Sequence, residues 1–474
     1  MLPLNAIRRR AAVILGIAVW LAFTTFANAQ TEPLLSLQSR SSVDEIARQA
    51  LKTTGVPSAS VAVVQDGKIA YLQAYGDASL DPQTPATPAM LYSIGSISKQ
   101  FTAAAILMLQ QEGKLSLDDP VAKYVPGLTD GDKVTIRELL SHTSGYQDFW
   151  PQDYVMPFIL KPTTAQAIMD RWAKKPLDFA PGTKWQYSNT NYVIAGVIVE
   201  KAAGMPLLQL LSQRVFKPLG MTSVADTDQN KLPPTDPTGY MRYALGPLRP
   251  APTTGNGWMF AAGELAMTAE DLAKWDISMM DETVLKPASY KEMETDTLLK
   301  NGMGTHYGLG IEVINQNGRR VLEHSGEVSG FVSENIVLPD DKLAVVVLTN
   351  QDASEAAGDI GKGIAALLLK AQNPQDPKQD ALMRQIYDGL QQGKIDRSLF
   401  TDDANAYFTA QALKDYADSL GPLGAPESFT SVRTSLRGGM TARIYQVKYP
   451  TKNLVLIIYE MPDGKIEQYL VVER

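Results

Sequence analysis

Residues 99–112 are apolar on almost every side: Phe101, Ala103, Ala104, Ile106, Leu107 and Leu109 leave no polar stripe before Gly113. A helix that is apolar all round must be enclosed by other elements, so the sequence predicts a core helix at the centre of a domain. Its N-terminal end carries Ser96-Ile97-Ser98-Lys99. Residues three apart on a helix share a face, which puts Ser96 and Lys99 one above the other. Ser96 stands at the helix end, where free backbone N–H groups favour an anion. Lys99 leads straight into the apolar run, and desolvation there lowers a lysine's pKa towards that of a usable base.

Strand signals flank this helix at a distance. Residues 42–53 read as an amphipathic helix, and 59–64 and 69–74 as strands joined at Asp66-Gly67. From 115 to 281 the pattern is helices and loops, with clear helices at 191–203 and 269–280. A proline-punctuated stretch lies between them at 229–257, and so long a loop in a compact domain is usually functional. Strands return at 308–314, 320–324, 331–338 and 343–349, with turns at Asn317-Gly318 and Pro339-Asp340, and a helix at 353–369 follows. Strands from both halves of the chain with helices between them predict an α+β fold: one antiparallel sheet flanked by helices, with an inserted helical region. Polar residues 371–380 read as a linker. Beyond them, helices at 381–391 and 404–420 and strands near 429–436, 442–449, 454–460 and 466–472 predict a small C-terminal α+β domain over 381–474.

Residues 1–29 have the layout of a signal peptide. Arg8, Arg9 and Arg10 precede an apolar run at 11–26, and Ala27-Asn28-Ala29 forms an A-x-A cleavage site. The apolar run is shorter than the roughly 20 residues that span a bilayer. The expectation is a periplasmic or secreted protein, with no stable membrane anchor once the leader is removed and a main domain over 30–370. The whole chain has a formal charge of −7, and loss of the leader's arginines leaves the remainder more acidic. Such a surface offers nothing to nucleic acid and no polybasic membrane patch. There is no cysteine, which excludes disulfides, thiol nucleophiles and cysteine-ligated zinc. The three histidines show neither H-x-x-x-H nor H-E-x-x-H spacing, so no zinc hydrolase, metal site or cofactor is expected. A G-x-S-x-G elbow is also missing.

A lone S-x-x-K arises about once by chance in a chain of this length. Its company is more informative. Tyr187-Ser188-Asn189 follows in the helical region and His324-Ser325-Gly326 on a late strand. Further segments accompany them: Gly95-Ser96-Ile97-Ser98-Lys99-Gln100-Phe101-Thr102, Thr135-Ile136-Arg137-Glu138-Leu139-Leu140-Ser141-His142-Thr143-Ser144-Gly145, Pro181-Gly182, Ala262-Gly263 and Tyr307-Gly308-Leu309-Gly310.

In this order and combination the chain resembles the serine β-lactamase and penicillin-binding protein superfamily, in its class C β-lactamase-like branch, over roughly residues 43–369. The resemblance implies a β-lactamase/transpeptidase-like fold. It also implies roles: Ser96 as acylated nucleophile, Lys99 as proton acceptor, and Tyr187 as relay to the leaving group. Asn189 would bond the substrate amide, while His324, Ser325 and Gly326 would present the substrate-binding strand. The N–H groups of Ser96 and Glu327 would form an oxyanion hole. Lys99 and Tyr187 would titrate as a coupled unit, so sequence does not order them as acceptors.

His-Ser-Gly stands where many relatives carry Lys-Thr-Gly, and this variation resembles the D,D-peptidases and D-amino-acid-specific peptidases. A mostly neutral imidazole removes the permanent cation for a β-lactam carboxylate. The expectation is an exported serine hydrolase, metal-independent, that cleaves amide bonds of D-residue-containing peptides or related small amides. The alternatives are an esterase, a weak β-lactamase, or a penicillin-binding sensor with little turnover. Partners are thus a small peptide, amide, ester or β-lactam, with oligomeric state left open. The C-terminal domain looks like a cystatin-like cone. His142 is expected to be structural, and His306 receives no role.

Overall fold

The computed structural model describes residues 35–473 apart from 151, 154, 317–318 and 373–376. The expected leader at 1–29 and the turn at Asn317-Gly318 lie outside the described residues. Among the described residues, no single helix is long and apolar enough to cross a membrane.

Helix α1 (Leu37–Thr54) leads into strands β1 (Ser58–Gln65), β2 (Lys68–Leu80) and β3 (Gln83–Pro85). Helices α2 (Ser98–Gln111), α3 (Asn189–Ala203) and α4 (Ala269–Met280) belong to the inserted region. Strands β4 (Glu312–Gln316), β5 (Arg319–Val328), β6 (Phe331–Leu338) and β7 (Leu343–Thr349) then return to the sheet, and α5 (Ala356–Gln372) follows. Among the described residues these strands form one seven-stranded antiparallel sheet in the order β3-β2-β1-β7-β6-β5-β4. The two chain halves meet at β1 and β7, where Val61 is paired with Val347.

That central seam explains the apolar run in β1. Val61 and Val63 share a core with Val43 and Ala47 of α1 and Ile360 and Ile364 of α5. Ala62 and Val64, pointing to the other face, join Phe101 of α2 and Trp275 of α4. A strand covered on both faces reads as continuous rather than alternating. Helix α2 is enclosed as its composition demands, with every residue from Ser98 to Leu109 buried. The Phe101 ring lies 4.8 Å from Trp275 and 5.6 Å from Phe216 between ring centroids. Each such large apolar side chain contributes roughly 1.5–3 kcal/mol by leaving water.

The C-terminal elements are α6 (Pro377–Leu390), α7 (Asp402–Tyr407) and α8 (Ala410–Leu420), then β8 (Ser428–Arg437), β9 (Met440–Lys448), β10 (Asn453–Glu460) and β11 (Ile466–Glu473). The strands form a four-stranded sheet in chain order. Met383, Tyr387 and Leu390 of α6 pack with Tyr445, Leu456 and Ile458 in a core of their own.

Several expected boundaries move. The helix expected over 404–420 is two helices, because Phe408 turns into the core and Thr409 caps α8 by accepting from the Ala412 N–H at 3.1 Å. The strand expected from 308 begins at Glu312. Ahead of it, Gly308 N–H donates to Ile311 O and Leu309 N–H to Met293 O, so these groups serve a turn rather than a ladder. Helix α5 extends to Gln372 and α6 starts at Pro377, so helix occupies both ends of the polar segment expected as a linker. The proline-rich 229–257 stretch contains a short pairing of Tyr240–Met241 with Arg249–Pro250.

Ser96 lies in a 3-10 turn, Gly95–Ile97, just ahead of α2 rather than within it. Strand β5 presses directly on this turn. A Cβ at Gly326 would stand 1.9 Å from Ile94 O and 2.5 Å from Ser333 Oγ, and one at Gly95 would stand 2.7 Å from Glu327 N. Overpacking of this kind costs about 1–3 kcal/mol. Gly326→Ala should therefore lower the urea midpoint without changing the slope of the transition; an unaltered midpoint would show that β5 and the turn are not in this contact.

Candidate active site

Lys99 is fully buried on the first turn of α2. Its Nζ is 2.9 Å from Ser96 Oγ, 2.8 Å from Asn189 Oδ1 and 2.6 Å from Ala262 O. Burial lowers its pKa to about 7, against the opposing pull of the Asp148 and Glu264 carboxylates. Ser98, one residue away, spends its hydroxyl on the Leu265 N–H at 3.1 Å, which fixes the segment bearing Ala262 and Gly263 beside the helix.

Tyr187, Ser188 and Asn189 form the N-terminal edge of α3, with Ser188 extended at φ −148°. The Tyr187 hydroxyl is hydrogen-bonded to Ser96, and burial raises its pKa well above the phenol range. Lys99 Nζ stands 5.0 Å from the centre of the Tyr187 ring. Ser96, Lys99 and Tyr187 thus converge on one point. Asn189 lines the cleft and also bridges Lys99 and Asp148. Its Oδ1 accepts from Lys99 while its Nδ2 donates to Asp148 Oδ2 at 3.3 Å, and its N–H donates to Asp148 Oδ1 at 2.9 Å.

β5 supplies the facing wall. His324 is buried, with Nδ1 2.6 Å from Ser325 O and Nε2 2.8 Å from Tyr307 Oη. A carbonyl can only accept, so Nδ1 carries the proton and Nε2 accepts from the Tyr307 hydroxyl. Burial, with a smaller contribution from the Lys99 charge, lowers the His324 pKa to about 4. Ser325 and Glu327 are exposed on the strand. Together with Ser96, Tyr187, Asn189 and His324 they line a cleft of about 330 Å³. His306 is remote, exposed and 3.7 Å from Asp296. Of the aromatic side chains near the motifs, Phe149 and Trp150 line the cleft, whereas Tyr146 is core.

Sequence reasoning gave no role to three side chains that shape this site. Asp148 is on the cleft wall, and burial raises its pKa to about 6 despite the Asn189 and Trp150 N–H groups it accepts from. Glu264 is buried behind Lys99, where burial raises its pKa to about 8 and Asp226 and Asp228 add to the rise. Tyr307 holds His324. The available signals were local: Asp148 is an acid among Tyr146, Phe149 and Trp150, Glu264 follows Ala262-Gly263, and Tyr307 opens a quoted motif. Among the described residues, no group of three His, Asp or Glu side chains is placed to hold a metal ion.

The profile of the family described as Beta-lactamase matches residues 43–370. A D-aminopeptidase from Brucella anthropi is 30% identical over 311 residues, covering 64% of this chain and 58% of that protein. The chain therefore spans less than two thirds of that relative's length. A solved D-stereospecific amidohydrolase from Streptomyces sp. is 28% identical with a TM-score of 0.58, covering 67% of this chain and 96% of that one. The octameric penicillin-binding protein homologue from Pyrococcus abyssi is 22% identical with a TM-score of 0.61. That likeness is one of fold, and it covers 92% of this chain and 95% of the other.

The His324 contacts make a direct prediction. In long-range 1H–15N spectra its ring should remain neutral and Nδ1-protonated from pH 5 to 8, since its pKa is near 4. A titration near the ordinary value of about 6.5 would contradict the Tyr307 and Ser325 contacts.

Proposed function

This chain belongs to the beta-lactamase family, and on that footing we propose that it is a serine hydrolase that cleaves amide bonds through an acyl-enzyme on Ser96. The observation that carries the reading is the environment of Lys99. Asn189 Oδ1 and Ala262 O can only accept, so a neutral amine donates its two protons to them. Its lone pair is then left for the third neighbour, the Ser96 hydroxyl. A pKa of about 7 keeps a large fraction of the amine in that state at neutral pH.

Ser96 Oγ attacks the carbonyl carbon while its proton passes to Lys99, and the carbonyl oxygen becomes an oxyanion held by the N–H groups of Ser96 and Glu327. Collapse breaks the C–N bond, and Tyr187 gives its proton to the departing amine while taking up the one that Lys99 received. Water, losing a proton to the neutral Lys99, then attacks the ester on Ser96; the acid is released and that proton returns to Ser96 Oγ to restore the hydroxyl. The raised Tyr187 pKa favours Lys99 over a phenolate as first acceptor.

Cleft charge supports the substrate class. Asp148, Glu312 and Glu327 line it, and among the described residues that line it none is Lys or Arg. Such walls suit a free ammonium group and repel a carboxylate. With the D-aminopeptidase likeness, this supports D-aminoacyl amides and short peptides with a free amino end over β-lactams. A second reading is an esterase, favoured by the raised Tyr187 pKa: a weak acid suffices for an ester leaving group. The layout of residues 1–29 supports an exported setting.

The test is a panel of D-alanine p-nitroanilide, p-nitrophenyl acetate and a chromogenic β-lactam on wild type and Ser96→Ala. We expect hydrolysis of the anilide, with little of the β-lactam, and at least about a thousandfold loss in the variant; cleavage unchanged in Ser96→Ala sinks the proposal. Because the base must be unprotonated, kcat/KM should rise with pH through a midpoint near 7, the value for Lys99.

Asp148→Asn separates the charge argument from the chemistry. KM for D-alanine p-nitroanilide should rise about tenfold or more, while KM for p-nitrophenyl acetate, which has no ammonium, should change little. The acid limb should also move to lower pH, because the Asp148 charge favours protonated Lys99. Equal effects on both substrates would count against Asp148 as an ammonium contact.

A further inference from the structure

His142 lies outside the cleft lining, yet it holds the segment around Tyr187 at three points. Its carbonyl accepts from the Gln186 N–H at 3.0 Å, and its Nδ1 accepts from the Ser188 N–H at 3.1 Å. Its ring lies against that of Tyr187, 4.2 Å between centroids and tilted by 32°. One residue therefore brackets the tyrosine along the backbone and supports its ring. The clamp is itself anchored: His142 N–H donates to Leu139 O at 3.3 Å, at the end of the short helix Ile136–Leu140.

We propose that His142 is a positioning residue that holds the Tyr187 hydroxyl on Ser96 by fixing the backbone on both sides of that tyrosine. The inference rests on the acyl-enzyme reading, in which Tyr187 passes a proton to the leaving group.

A space-filling role does not account for an imidazole here. The Ser188 N–H can only donate, so Nδ1 is unprotonated and Nε2 carries the hydrogen. That Nε2 is buried with no hydrogen-bond partner, among the rings of Tyr187, Tyr192, Tyr307 and Trp185. A phenyl ring would fill the same box without burying an unpaired donor. It would lack the one thing the imidazole supplies, an acceptor for the N–H that follows Tyr187. His142 also occupies the left-handed region at φ 59°, which disfavours most side chains but is less unusual for His and Asn. Burial, reinforced by the charge of Lys99, holds its pKa well below the ordinary value, so it keeps its acceptor as pH falls.

Acting through Tyr187, His142 should influence turnover rather than binding. Displacing a catalytic group by about 1 Å costs on the order of 100-fold. With the full chain and D-alanine p-nitroanilide, His142→Phe keeps the ring but removes the acceptor. Its kcat should fall by about 100-fold with KM within about twofold. His142→Asn returns an acceptor near the Nδ1 position and tolerates the left-handed backbone, so it should recover most of the loss. A kcat in the Phe variant within about threefold of wild type overturns the proposal. So does a loss expressed in KM, or an equal loss in the Phe and Asn variants.

Should the variants not fold, the wild-type ring decides. Long-range 1H–15N spectra should show His142 as the neutral Nε2–H tautomer from pH 5 to 8, and an Nδ1–H tautomer or imidazolium overturns the clamp. Mass spectrometry after exposure to p-nitrophenyl acetate distinguishes the two levels. No Ser96 adduct on wild type counts against the acyl-enzyme reading itself. A wild-type adduct, together with an anilide kcat unchanged in His142→Phe, counts against the clamp alone.

Discussion

A lysine amine sealed from water at the start of a core helix is the constraint around which this molecule is arranged. An ion that size in a dry interior costs several kcal/mol even after relaxation. The protein reduces the cost by letting Lys99 lose its proton near neutral pH and by giving it two fixed acceptors, Asn189 Oδ1 and Ala262 O. The apolar surface of α2 that makes burial necessary is also what converts Lys99 from a surface cation into a base. Asp148, ionised at neutral pH, pulls the other way. With the Lys99 pKa near 7, the amine can both take and return a proton.

The fold's task is to bring distant segments to that amine. The sheet joins the two chain halves at β1 and β7, and β5 reaches the Ser96 turn because neither Gly95 nor Gly326 puts a Cβ in the gap. From the inserted helical region, the start of α3 contributes Tyr187 and Asn189. Asn189 is the tie between them: one end of its amide faces Lys99, the other Asp148. This pairing also assigns its orientation, since only the NH₂ end can face a carboxylate and only the oxygen can face the amine.

Much of this was legible before any coordinates. Strands β6 and β7 and helix α4 start and stop where the sequence predicts, because apolar runs end abruptly at punctuating residues such as Gly330, Pro339 and Thr268. Ser96, Lys99 and Tyr187 could be nominated because the segments around them are specific in type and order. The break between α7 and α8 could not: neither Phe408 nor Thr409 is a strong helix breaker, and a core contact with a cap made the division. Asp148 and Glu264 were illegible for another reason. Their effect on Lys99 is electrostatic and acts through space, across 49 and 165 residues of chain respectively, so no spacing rule announces it.

Charge and tautomer then divide the work of the two histidines and the acids. Each buried histidine is held neutral by its burial, and its tautomer is set by a partner with a single hydrogen-bonding sense. A carbonyl dictates the proton position on His324 and a backbone N–H dictates it on His142, so the two rings adopt opposite tautomers. Neither adds a positive charge beside Lys99, which would depress its pKa further and weaken it as a base. Formal charge on the cleft wall is left to Asp148, Glu312 and Glu327. On the proposed reading, the same arrangement serves catalysis and selection together. Neutral rings leave Lys99 its proton affinity, and acidic walls without a countering cation discriminate between a substrate's amino end and a carboxylate before chemistry begins.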